Sequence, residues 1–162
     1  MPAAELVFPK SGGDPVYNSE LNKYNQLMKV YSAESNDTDY ETLNSNFTAV
    51  SGLGSVACVL DGTSTIVATA CGLGGVQTGA YGYFGVDING NLTSTPSGTQ
   101  CIGTNNSTDR WPFSVTSVST GLAAGSKWVT LKTASVGAGS TYLYNSKGRS
   151  KITVLVIREK NE

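Results

Sequence analysis

The feature that most constrains this chain is a ten-residue run, Gly79-Ala-Tyr-Gly-Tyr-Phe-Gly-Val-Asp-Ile88, followed by Asn89-Gly90. Ala80, Gly82, Phe84, Val86 and Ile88 share one face of a strand, and Tyr81, Tyr83 and Asp87 share the other. Asn-Gly suits the tightest hairpin turns, whose two central residues need positive φ. Asp61-Gly62 is a second such dipeptide, and Lys147-Gly148 turns the last hairpin. Between these signals, strands are expected over 47–50, 54–60, 64–71, 76–88, 111–119, 126–134, 140–145 and 150–158. That spacing implies a mainly β protein, an antiparallel β-sandwich of the jelly-roll kind.

The last of these strands differs from the rest. Ile152, Val154 and Val156 point one way, while Leu155 and Ile157 point the other. A strand apolar on both faces is buried on both. In a two-layer sandwich the second face needs another cover, and a neighbouring subunit is the natural candidate.

The first 46 residues read differently. Residues 6–17 look extended, with Pro9, Gly12, Gly13 and Pro15 as breakers. In 18–31, Asn18 or Ser19 can cap a helix, with Glu20 in its first turn. Leu21, Tyr24, Met28 and Tyr31 then form one apolar stripe at helical spacing. A helix this short is marginal alone and must pack on something, either its own domain or another copy or assembly. Residues 32–46 are polar and acidic and read as a linker. The expected organisation is an anchoring arm, helix and linker over 1–46 and a β-domain over 47–162.

Charge follows the same division. Residues 1–46 carry ten charged side chains, seven of them acidic, whereas 47–126 carry only Asp61, Asp87, Asp109 and Arg110. The middle is rich in Gly, Ser, Thr and Asn, side chains that can solvate a sheet without charge. Net charge is −1, which gives no electrostatic case for nucleic acid or an anionic membrane surface. No apolar run approaches the roughly 18 residues that span a bilayer. The start, Met-Pro-Ala-Ala-Glu-Leu-Val-Phe-Pro-Lys10, lacks the basic and apolar regions of a signal peptide, so synthesis in the cytoplasm without export is expected.

Signals for chemistry are weak. There is no histidine, which removes Ser-His-Asp and Cys-His catalysis and the commonest zinc ligand. The cysteines at 58, 71 and 101 include no Cys-x-x-Cys pair. Cys58 and Cys71 fall on neighbouring expected strands, where they would either pair or remain buried free thiols. Gly52-Leu-Gly-Ser-Val-Ala57 matches a dinucleotide-binding pattern, but strand and turn follow it rather than helix. Asp87-Ile-Asn-Gly-Asn91 resembles the start of a calcium loop whose twelfth position is Gly98, not Glu. A glycosidase needs two converging carboxylates, and Asp61 and Asp87 look like turn residues. No catalytic residue, metal site or cofactor is expected. Five Asn-x-Ser/Thr sequons occur, at Asn36, Asn46, Asn91, Asn105 and Asn106. Tyr81, Tyr83, Tyr142 and Tyr144 are read as cross-strand packing, with stacking on sugars as the alternative.

Phe113-Ser-Val-Thr-Ser-Val-Ser-Thr-Gly-Leu-Ala-Ala-Gly-Ser-Lys-Trp-Val-Thr-Leu-Lys132, followed by Ser150-Lys-Ile-Thr-Val-Leu-Val-Ile157, resembles the end of a recurrent C-terminal domain of phage fibre and head-fibre proteins and of bacterial collagen-like proteins. Gly79–Gly90 and Ser64–Cys71 resemble its preceding strands, so the likeness covers about 47–158. Gly13-Asp-Pro-Val-Tyr-Asn-Ser-Glu-Leu-Asn22 resembles the start of some phage tail and fibre proteins. The stretch 92–110 is longer than the domain's pattern, and the chain has no collagen-like or coiled-coil stalk.

The resemblance implies a jelly roll similar to the C1q and tumour-necrosis-factor folds, a homotrimer, and display on a virion exterior. Its expected role is structural and non-enzymatic: a capsid decoration, head spike or short tail component that contacts other virion proteins through residues 1–31. The alternative is a receptor- or glycan-binding tip of a tail fibre, with a host-surface glycan met by loop 92–110. The candidate assembly interface is Leu21, Tyr24, Met28, Tyr31, Leu155 and Ile157.

Overall fold

A computed structural model describes residues 28–53, 55–88, 98–103 (as backbone) and 110–159. Among these, every regular element is a strand. They are β1 (Met28–Glu34), β2 (Tyr40–Thr42), β3 (Thr48–Ala49), β4 (Ser55–Leu60), β5 (Ser64–Val76), β6 (Ala80–Ile88), β7 (Gly98–Gly103), β8 (Trp111–Leu122), β9 (Gly125–Gly137), β10 (Thr141–Leu143) and β11 (Lys151–Arg158).

The strands form two sheets, and every pairing is antiparallel. The first has the order β1-β11-β5-β10-β2, with β8 on the other side of β5. The second has the order β3-β9-β6-β7, with β4 also on β9. The chain passes from sheet to sheet between β2 and β3, β4 and β5, β5 and β6, β7 and β8, β8 and β9, and β9 and β10. This is a jelly roll, in which neighbours in sequence mostly lie in opposite layers.

Alternation explains why these segments are strands. In β4, Val56, Cys58 and Leu60 are buried while Ser55, Ala57 and Val59 are exposed. In β11, Ile152, Val154 and Val156 are buried between the sheets. The layers meet at Phe84 of β6 and Phe113 of β8, whose rings stack with centroids 4.4 Å apart. Gly74 of β5 makes room for this pair, because a Cβ there would sit 2.7 Å from the Phe84 ring. Gly79, at φ 85°, ends the turn between β5 and β6 in the left-handed region that favours glycine. That turn divides residues 64–88 at 77–79, so Val76 closes β5 and does not open β6.

Three expectations are corrected. The last turn of the helix proposed for 18–31 is strand: Met28–Glu34 pairs residue by residue with β11. Met28 and Tyr31 therefore lie on opposite faces, with Tyr31 packed against the core. Pairing with a buried strand outweighs the helical spacing of these two residues, and Val30 is β-branched and suited to it. The linker proposed for 32–46 holds the rest of β1 and all of β2, and Tyr40 packs on the core while Thr42 is buried. The sandwich therefore begins by residue 28 rather than at 47. The long stretch 92–110 contains β7, which pairs with β6 from Tyr81↔Gly103 to Val86↔Gly98. The arm at 2–17, helix residues 18–27, the Asn89-Gly90 turn and the sequons at Asn91, Asn105 and Asn106 lie outside the described residues.

Candidate assembly surface

The second face of β11 lies on the outer side of the first sheet, and register determines what surrounds it. Leu155 pairs with Val30 on β1 and with Val67 on β5, and Val67 pairs with Val118 on β8. One row of four aliphatic side chains thus crosses the sheet from edge to edge. Beside it, Ile157 pairs with Met28 on β1 and Thr65 on β5. Leu155, Ile157 and Val67 are half-buried because neighbouring columns flank them. At the margins Met28, Val30 and Val118 are 54%, 68% and 55% exposed.

The face grades in polarity along the strands. The next row is Ser32, Thr153, Thr69 and Thr116, all hydroxyls, with Thr69 and Thr116 bonded at 2.9 Å. The row after that is Glu34, Lys151, Cys71 and Ser114, with Lys151 Nζ 3.7 Å from Glu34 Oε1. The aliphatic and hydroxyl rows are thus neutral, and charge stands at the two ends, where Glu159 Oε1 accepts from Thr65 Oγ1 at 3.1 Å beside Ile157.

Of the residues expected to form an interface, Met28, Leu155 and Ile157 come together here. Tyr31 does not, since it points into the sandwich, and Leu21 and Tyr24 lie outside the described residues. Val30, Val67 and Val118 were missed. Val30 and Val118 are lone aliphatic residues in mixed or polar stretches, Val67 sits between the core residues Ile66 and Ala68, and only the register joins the three.

The groups considered for chemistry are occupied or apart. Asp61 forms an exposed pair with Lys29, whose ammonium holds the carboxyl below the usual range mainly by a hydrogen bond. Asp87 lies on β6 and forms an ion pair with Lys132, Nζ to Oδ2 2.5 Å. Asp109 lies outside the described residues. Among the described residues, no group of three or more His, Cys, Asp or Glu side chains could hold a metal ion. Cys58 faces the core and burial pushes its thiol pKa up, whereas Cys71 is exposed on the outer face of the other sheet. Both are free, and they lie on opposite sides of a layer, so they do not pair.

The four tyrosines do not form one site. Tyr142 and Tyr144 stack at 5.8 Å on the first sheet, with Arg110 4.9 Å from the Tyr144 ring centre. On the second sheet, Tyr83 meets Phe47 edge-on at 6.4 Å, and Tyr81 pairs with Val136, both exposed.

No known protein family matches the sequence, and no curated protein is similar to it. Solved structures are similar at low identity. The structure of infectious bursal disease virus, Gx strain, is 12% identical with a TM-score of 0.45, over 83% of this chain and 33% of that one. The Gt strain of the same virus gives 13%, a TM-score of 0.36, and 83% and 37% coverage. The Eiger tumour necrosis factor of S. frugiperda is 11% identical with a TM-score of 0.45, over 83% of this chain and 95% of that one. This chain spans about a third of the length of the viral chains it resembles.

Proposed function

We propose that this chain is a non-enzymatic virion structural protein, displayed on the particle exterior as a homotrimer, with the residues that precede β1 contacting other virion proteins. The observation that carries the reading is the neutral aliphatic row Val30–Leu155–Val67–Val118, open at both margins of the first sheet. Isolated apolar residues on a surface are ordinary, but a contiguous row across four strands marks an interaction site. The row and its hydroxyl neighbour span three inter-strand spacings, roughly 14 Å. That is a suitable centre for an interface, which buries on the order of 800 Å² per partner. Around a threefold axis each copy contributes two different patches, so β8 with Val118 can meet the Leu155 face of the next copy. The resemblance of 47–158 to fibre and head-fibre domains supports trimerisation and display.

Sedimentation velocity tests this directly. The full chain is expected to sediment at three times its chain mass. Val118→Asp and Val30→Asp place a charge at an exposed position and are expected to yield folded monomers. A wild-type chain that stays monomeric at tens of micromolar would refute the reading.

A further inference from the structure

The second sheet carries a different feature, an exposed tryptophan. Trp128 points outward from β9 and is 54% exposed, although Val129 beside it is completely buried in the core. Its cross-strand partner on β4 is Ala57, which is too small to cover the indole. One row along, Ser55 pairs with Thr130 and their hydroxyls are bonded at 2.7 Å. One row the other way, Val59 pairs with Ser126 and is itself 53% exposed. On the β4 side the indole is therefore bordered by two small or aliphatic side chains and by hydroxyls; on the β6 side Thr130 pairs with Asp87, whose charge is matched by the ion pair with Lys132.

We propose that Trp128 is a stacking platform for a neutral carbohydrate. A pyranose has an apolar C–H face and a rim of hydroxyls. Its face fits an open indole, and its rim fits the Ser55–Thr130 hydroxyl pair. A protein partner fits less well on grounds of area. A tryptophan offers up to roughly 250 Å², and about half of Trp128 is exposed. Even with Val59 and Ala57 added, the patch is far below the roughly 800 Å² per partner of a stable protein interface. It is, however, sufficient for one or two sugar rings. A single platform binds weakly, but several copies on one particle raise the effective affinity without any new contact.

The inference rests on the proposed assembly in one respect: association through the first sheet leaves the outer face of the second exposed. It differs from a receptor site in loop 92–110, because Trp128 lies on a strand.

The test uses the full chain, fluorescently labelled, on an array of neutral and acidic glycans, with sedimentation of the same samples. Wild type is expected to be retained by neutral glycans. Trp128→Ala is expected to lose at least tenfold in apparent affinity, with Trp128→Tyr in between and all three sedimenting alike. Absence of glycan binding, or equal binding by Trp128→Ala, overturns the proposal. A changed sedimentation of Trp128→Ala also overturns it, by making Trp128 a contact between copies. A monomeric wild type that binds through Trp128 would refute the assembly reading and leave this one standing.

Discussion

Lys132 leaves the outer side of β9, and yet its side chain is only 1% exposed. Its cross-strand neighbours are Gly85 on β6 and Ala49 on β3, which leave space for a long aliphatic stem. One row along, Phe47 and Tyr83 meet across Ala134. The stem lies in this slot and brings the ammonium to Asp87. Burying two charges is costly, and their attraction offsets that cost only while both are present. Lys132→Met alone is therefore expected to cost about 3 kcal/mol, because a largely buried carboxylate is left behind. The double variant Lys132→Met/Asp87→Leu is expected to recover most of that loss. Urea unfolding of the three proteins checks this, and equal losses in the single and double variants would show that the pair is not coupled.

At the scale of elements, one end of the sandwich is held by the β1–β2 and β10–β11 connections. Arg149 donates from Nε to Asp37 Oδ1 at 2.7 Å and from Nη2 to Oδ2 at 3.2 Å. Beneath that exposed pair, Asn145 donates to the Thr38 carbonyl and accepts from Ser150, and Ser35 Oγ accepts from the Ser150 amide. The hydrogen bond from Arg149, and then its charge, hold the Asp37 carboxyl below its ordinary range. A carboxyl depressed in the folded state contributes stability above its unfolded value, about 3.9. That contribution is lost as pH falls through the lower folded value. Asp37→Asn is therefore expected to lower the urea midpoint slightly at pH 7 and to match wild type at pH 2. An unchanged gap between the two proteins at pH 2 would assign the effect to something other than the ionised pair. The same elements show what the sequence made legible. The strands from β4 to β6 and from β8 to β11 were readable because alternation and turn dipeptides agree. The double-sided pattern of Lys151–Arg158 pointed to the outer face. β1 was misread because Met28 and Tyr31 fit a helical stripe as well as they fit two faces of a strand. β7, Gly98-Thr-Gln-Cys-Ile-Gly103, has glycine at both ends and no clear alternation, so only its partner β6 reveals it. The aliphatic row was illegible for the same reason: Val30, Val67 and Val118 are far apart in sequence, and pairing alone makes them neighbours.

For the whole molecule, the corrected start of the sandwich has a direct consequence. β1 covers the edge of β11 along seven paired positions and packs Tyr31 and Ala33 against the core. β2 covers the edge of β10 and adds Tyr40. Without them, β11 becomes an open edge with apolar residues on both faces, the kind of strand that aggregates. Burial of a large apolar side chain is worth roughly 1.5–3 kcal/mol, against a total stability of about 5–15 kcal/mol for a domain. Losing Tyr31 and Tyr40 together with the β1–β11 ladder removes a large share of that margin. A chain beginning at residue 28 is therefore expected to unfold cooperatively on heating, with a transition close to that of the full chain. A chain beginning at residue 47 is expected to show no cooperative transition, or to aggregate at concentrations where the longer one stays soluble. Thermal unfolding followed by far-ultraviolet circular dichroism separates the two cases. A cooperative transition in the shorter chain near that of the longer one would mean that β1 and β2 decorate the sandwich rather than close it.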